Sequence, residues 1–559
     1  VAEAVAEDAE YLARLDPASF GEALARVGAG VATNPAQGFG ALARFGARML
    51  AATADATRVA LGQRPEPDLA PSPRDRRFAD PAWERNPWFF AQRQAYLAWS
   101  HLVHDLVDAA RLDPLTAQKA AFAAGFVVDA AAPTNFLLTN PAALRRAFET
   151  GGVSVLRGLR NFFQDQLTNN GRPRQVDTTP FELGRNLAAT PGKVVYRNDL
   201  MELIQYDPQT ETVFEVPLLL SPPWINKYYV MDLAPGRSFV EWAVRQGHTV
   251  FAISYRNPDD SMRDIDLEDY LLRGPRQALS VVADITGAPA ANVVGLCIGG
   301  TLTGMLLAHL AALGERRVHS ATLLNTLIDF SDPGLLGAFT DAESVGRLEQ
   351  RVAADGFLHE DDLSATFNLL RDNDLIWNYV ASNWLMGESP PAFDILAWNC
   401  DGMNLPVRMM SSYLRSCYVE NRLAQGTMEL ANTPLRLDRV DVPVYIVAAK
   451  EDHIVPWTSS YDTTRLLRGP IRFILTSSGH IAGIVNPPST KRKYWAADDD
   501  QHPEDPATWR SRAREHPGSW WEDWTVWIAE RAGGRRPPPP TGSSAHPALD
   551  DAPGTYVHG

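Results

Sequence analysis

A cysteine framed by glycines, Gly295-Leu296-Cys297-Ile298-Gly299-Gly300, stands between a β-like run, Asn292-Val293-Val294, and an apolar helical run from Leu302 to Leu313. A nucleophile elbow has this setting: the reactive residue sits on a tight strand-to-helix turn, and glycines two positions to either side let neighbouring backbone pass closely. Serine is the usual residue there, and this chain carries a thiol. Behind the turn Leu302, Met305, Leu306, Leu310 and Leu313 recur at helical spacing, and Gly314 supplies a C-terminal cap. Taken alone, the hexapeptide also fits a buried structural cysteine beside packing glycines, so the residues downstream decide.

A second β-like run, Val442 to Ala449, ends in Lys450-Glu451-Asp452-His453, and a third, Ile471 to Thr476, ends in Ser477-Ser478-Gly479-His480. Cys297, Asp452 and His480 thus follow the chain order nucleophile, acid, histidine of an α/β-hydrolase, each just past the carboxyl end of a strand. His453 competes for the base, but it adjoins the acid in sequence, and the loop after the last strand favours His480. A free thiol of pKa about 8.5 is only slightly ionised at neutral pH, so an imidazole that takes its proton raises the reactive fraction. Asp452 would hold that ring in the useful tautomer. The backbone N–H of Ile298 is expected to supply one oxyanion donor, and the run Asn226 to Asp232, around Val230, the second.

Loops meeting at one sheet edge require a scaffold, and the chain is long enough to build one: 559 residues suit two domains and a tail. Residues 1–180, rich in alanine, leucine and arginine, read as a mainly helical N-terminal domain broken by a proline-rich stretch between Pro65 and Pro87. Over residues 181–533 β-like runs alternate with helical ones: 213–220, 249–254, 292–296, 318–325, then the two already named. That alternation predicts a mainly parallel sheet flanked by helices. The gap after Thr326 is far longer than a connecting loop and predicts an inserted cap at about 331–440. Its apolar residues, among them Leu369, Trp377 and Trp384, suit the cap's own core as well as the shielding of a site. His453, Asn399, Asp401 and Asn404 are candidates for contact with substrate. Residues 534–559, opening on Arg535-Arg536 and four prolines, predict a disordered tail.

A net charge of −15 disfavours general nucleic-acid binding. No apolar run approaches the length of a membrane span, and the N-terminus is acidic, so a cytoplasmic location is expected. Three cysteines argue against a disulfide framework; Cys400 and Cys417 read as packing residues, and no His/Cys spacing points to a metal.

Beyond the elbow, longer segments resemble the polyhydroxyalkanoate synthases. They are Asn135-Phe136-Leu137 through Asn140-Pro141, Pro222-Pro223-Trp224-Ile225-Asn226-Lys227-Tyr228-Tyr229, Gly247-His248-Thr249-Val250-Phe251 with Arg256-Asn257-Pro258, and Trp398-Asn399-Cys400-Asp401 with Asn404-Leu405-Pro406. Glu451 through Trp457, Gly479-His480-Ile481-Ala482-Gly483 and Gly518-Ser519-Trp520-Trp521 complete the set. Together they span most of residues 80–530, and the single long chain is similar to the class I type. The resemblance implies polymerisation of (R)-3-hydroxyacyl-CoA into polyester with release of CoA, through a thioester on Cys297. Coenzyme A is then part of the substrate and a product, with no separate cofactor. The resemblance also implies a homodimer and a growing polyester chain at a granule surface. The segment from Phe20 to Leu61 fits such a surface and fits ordinary helix packing equally. Whether Asp452 or His480 activates the substrate hydroxyl stays open. A thiol-dependent esterase or depolymerase, and a non-catalytic hydrolase-fold scaffold, are the alternatives.

Overall fold

Residues 17–72, 75–489, 491–498 and 501–559 are described by a computed structural model. They form two units, one of residues up to Asp177 with Ala365–Ala392, the other of Thr178–Ser364 with Phe393–Gly559.

The first unit is helical for a local reason that repeats. Asn86-Pro87, Asp113-Pro114 and Asn140-Pro141 open the helices Pro87–Ala109, Pro114–Ala130 and Pro141–Glu149. In each, the Asn or Asp side chain accepts a free N–H of the first turn, and proline occupies a position whose missing N–H costs nothing. Pro17–Thr33 and Pro35–Ala60 precede these helices, and Val153–Thr168 follows. Residues 365–392 pack among them: Trp377 meets Phe126 with ring centroids 6.2 Å apart, and the Trp384 indole donates to the buried Asp165 carboxylate at 2.8 Å. The segment read as a single cap is therefore divided. Leu369, Trp377 and Val380 find their apolar partner in Phe126, distant in sequence, and form one small core with it.

The second unit is built on one ten-stranded sheet. Its strands are β1 Gly192–Arg197, β2 Met201–Tyr206, β3 Leu218–Ser221, β4 Val250–Tyr255, β5 Ala291–Leu296, β6 Val318–Leu324, β7 Val444–Ala449, β8 Ile471–Thr476, β9 Lys493–Ala496 and β10 Arg514–Pro517. They lie in the order β1-β2-β4-β3-β5-β6-β7-β8-β9-β10. Neighbours from β4 to β8 run parallel, and antiparallel pairs close both ends. Every residue of β4, β5 and β7 is buried, as in a parallel sheet covered on both faces. The expected strand at 213–220 is broken. Pro217 has no N–H for a ladder, so Val213–Phe214 leaves the sheet to pair with Arg535–Arg536, and only Leu218–Ser221 enters it.

The expectation of a disordered tail is corrected. Residues 534–559 lie along the β1-β2 end of the sheet, where β2 buries two polar side chains in need of partners. Gln205 donates to the Pro540 carbonyl and accepts from the Gly542 N–H. Glu202, fully buried, accepts from the Thr555 and Tyr556 N–H groups at 3.0 Å and from the Thr555 hydroxyl at 2.7 Å. Composition alone could not show these buried acceptors. No helix among the described residues is long and apolar enough to cross a membrane.

Candidate active site

Cys297 links β5 to the helix Ile298–Leu313 with φ +53° and ψ −123°, a left-handed turn that a non-glycine residue adopts only under constraint. Its N–H is clamped to the Leu324 carbonyl of β6 at 2.8 Å, and its own carbonyl accepts from Gly300 and Thr301. The flanking glycines are sterically required. A Cβ on Gly295 would lie 2.5 Å from the Thr303 hydroxyl and 2.6 Å from the Gly300 Cα, and one on Gly299 would strike the backbone carbonyls of Ser221 and Pro222. The thiol is half-buried and packs against the main core with Tyr418 and Leu414.

Asp452 and His480 leave the carboxyl ends of β7 and β8, which pair in parallel register up to Ala449 and Thr476. The Glu451 N–H bonds the Ser478 carbonyl at 3.0 Å, tying the two loops together. One Asp452 oxygen accepts the Ile454 and Val455 N–H groups at 2.9 Å, which orients the carboxylate, and the other faces His480 Nδ1 at 2.6 Å. The Asp452 side chain is fully buried and that of His480 nearly so. Burial disfavours a charged imidazole, but the Asp452 carboxylate and the nearby Cys297 outweigh it and hold the His480 pKa well above its usual value. Sulfur, imidazole and carboxylate are thus brought together, an arrangement in which a proton passed from the thiol to the imidazole would be stabilised by a buried counter-charge.

His453 stays half-buried in the bend after Asp452, while the ion pair goes to His480. Ile298 begins the elbow helix, where the first N–H groups lack intrahelical partners. Val230 lies buried in the 3₁₀ turn Tyr228–Val230; the chain that presses on the elbow helix is Ser221-Pro222. Asn399 ends the helix Asp394–Asn399, half-buried. Asp401 accepts from the Tyr229 hydroxyl at 2.7 Å, with burial raising its pKa. Asn404 accepts from the Glu360 N–H and donates to the Pro258 carbonyl, both at 3.0 Å. These two side chains tie the 401–404 turn to the loops after β3 and β4.

Asn325 and Tyr418 escaped the sequence reading, and Tyr413 is one of the apolar residues of the expected cap. Asn325, directly after β6 with φ +42°, donates to the His480 carbonyl and fixes the loop that presents the imidazole. Its signal was only an asparagine at a strand end. Tyr413 and Tyr418 sit close enough to Cys297 for the sulfur to add to the upward shift that burial gives both hydroxyls. Tyr413 packs on Trp224 with centroids 5.7 Å apart, so an aromatic wall stands beside the thiol.

The sheet order and this constellation define an α/β-hydrolase-fold protein whose elbow carries a cysteine. A family model described as the alpha/beta hydrolase fold matches residues 222–487, and one described as the poly-beta-hydroxybutyrate polymerase (PhaC) N-terminus matches residues 74–243. Among curated proteins the chain is 43% identical over 495 residues to a poly(3-hydroxyalkanoate) polymerase of Methylorubrum extorquens, covering 88% of this chain and 82% of that one. It is 45% identical over 495 residues to the poly(3-hydroxyalkanoate) polymerase subunit PhaC of Cupriavidus necator, covering 86% and 83%. The PhaC subunit of Rhizobium meliloti is 42% identical over 487 residues, covering 86% and 79%. The chain belongs to the poly(3-hydroxyalkanoate) polymerase family, and is an enzyme of the acyltransferase class.

Proposed function

We propose that this enzyme polymerises (R)-3-hydroxyacyl-CoA units into polyhydroxyalkanoate through a thioester on Cys297. The observation that carries the reading is the His480–Asp452 pair at 2.6 Å, close to a thiol held at positive φ. His480 takes the Cys297 proton, and the thiolate attacks the thioester carbonyl of the substrate. The tetrahedral oxyanion faces the N–H groups at the start of the elbow helix, with Ile298 as one donor and the loop holding Val230 offered as the second. Collapse expels the CoA thiolate, which takes the proton from His480. One thioester is exchanged for another, so the acyl group stays activated. A hydroxyl of a second unit then loses its proton to His480 or Asp452 and attacks this acyl group. An ester forms, the C–S bond breaks and Cys297 regains its proton. The same reading gives the enzyme a homodimeric form and a cytoplasmic place at the surface of its insoluble product.

Incubation of the purified enzyme with (R)-3-hydroxybutyryl-CoA, following CoA release and insoluble polymer together, tests the proposal. Equimolar CoA and free hydroxy acid without polymer would identify a hydrolase instead.

A further inference from the structure

The substrate just proposed is strongly anionic, whereas the chain carries a net charge of −15. A local cationic seat is therefore required near the site. One stands beside the loops of the acid and the base. The Trp495 indole, 5% exposed, is ringed by Lys450 Nζ at 5.5 Å from its centroid, Lys493 Nζ at 5.3 Å and the Arg510 guanidinium at 4.3 Å. Three cations around one ring repel each other, and cation–π attraction offsets only part of that repulsion.

The topology puts them at the catalytic edge of the sheet. Lys450 directly follows β7, two residues before Asp452, and its N–H bonds the Thr476 carbonyl at 2.9 Å. Trp495 pairs with Leu475 of β8 and Tyr494 with Thr476, so in this antiparallel strand Lys493 lies at the end where the His480 loop departs. Arg510 comes from the helix Pro506–Arg512. Glu515 is 3.1 Å from Lys493, and Asp498 is 2.8 Å from Arg514. Lys450 and Arg510 have no carboxylate partner among the described residues.

We propose that Lys450, Arg510 and Lys493 form the seat for the phosphate groups of the coenzyme A portion of the substrate, with Trp495 as the platform that holds their stems. The pantetheine arm would then run from this seat along the ends of β7 and β8 to Cys297. This inference rests on the acyl-CoA reading of the site. It also gives the indole a purpose: the ring fixes long, flexible cations in one place, so less side-chain freedom is lost when phosphate arrives.

The test compares (R)-3-hydroxybutyryl-CoA with (R)-3-hydroxybutyryl-pantetheine, which has the same thioester and no phosphate. Lys450→Gln and Arg510→Gln, each in the full-length enzyme, should raise KM for the CoA substrate about tenfold at low salt. They should leave turnover of the pantetheine substrate unchanged and flatten the rise of KM with added salt. Lys450→Arg should restore the wild-type KM. The unchanged pantetheine reaction shows that the variants remain folded. Equal losses on both substrates, or no change on either, would overturn the seat while leaving the polymerase reading intact. Wild-type enzyme that releases no thiol from either substrate would overturn the polymerase reading and the seat with it.

Discussion

At the scale of single residues the site is asymmetric in what each group must do. In the proposed cycle Cys297 carries the acyl chain, so Cys297→Ala should abolish polymer. Cys297→Ser should leave a trace at most, because a hydroxyl is harder to ionise and an ester is a poorer acyl donor. Steady-state polymer assays with matched circular dichroism check both, and near-normal turnover by the alanine variant would remove Cys297 from the mechanism. The two histidines differ in surroundings rather than in chemistry. His480 is buried against Asp452 and Cys297, while His453 is half-buried beside them. His480→Ala should cost about 10²-fold or more in kcat, the scale of lost proton transfer, and His453→Ala much less. A reversed ranking would place the base on the other loop.

At the scale of elements, the elbow depends on how closely β3 passes the helix Ile298–Leu313. A methyl group at Gly299 meets two backbone carbonyls, at Ser221 and Pro222, and neither can rotate away. Gly299→Ala should therefore lower soluble yield sharply or leave a folded protein whose thiol no longer reacts quickly with a thiol reagent; wild-type yield and reactivity together would contradict the packing. The loop after the 3₁₀ turn offers a pH test. Asp232 is fully enclosed and accepts from the Thr190 hydroxyl at 2.5 Å and the Ser238 hydroxyl at 2.6 Å, yet burial raises its pKa from 3.8 to about 6. A carboxyl with a folded pKa above its unfolded one leaves the folded state holding more protons between the two values. Stability must then fall as pH rises from about 4 to 6, by on the order of 3 kcal/mol from this group. Urea denaturation of the catalytic unit across that range should show the fall, and Asp232→Asn should lessen it. Identical slopes in the two proteins would assign the effect elsewhere.

At the scale of the whole molecule, a segment of low-complexity composition completes the edge of the catalytic sheet. Glu202 joins β2 to Thr555 and Tyr556, and Arg197 joins both Glu202 and Asp550. Removing the carboxylate leaves the Thr555 and Tyr556 N–H groups without their acceptor and takes one of the two carboxylates from Arg197. Glu202→Ala should therefore destabilise the unit by about 3 kcal/mol. Hydrogen exchange over residues 550–559 should accelerate, while exchange in β5 changes only with the global stability. Unchanged protection of 550–559 would mean that other contacts hold the tail.

The sequence by itself determined what is local or ordered along the chain: the elbow, the succession Cys297, Asp452, His480, the alternation that makes a parallel sheet, and the helical character of the N-terminal region. Each is legible because a glycine, a strand end or a 3.6-residue period leaves its mark within a few residues. Tertiary structure alone decided the rest. It set the geometry of the choice between the two histidines, bringing His480 to Asp452 across 28 residues of chain and leaving His453 in the bend beside them. It recruited Asn325 to hold the histidine loop, divided the long insertion, and ordered a tail whose composition reads as disorder. The physical reason is common to these cases. A buried carboxylate, amide or indole is satisfied by whatever group the fold carries to it, and that partner is set by packing in space, with no periodicity to announce it in the sequence.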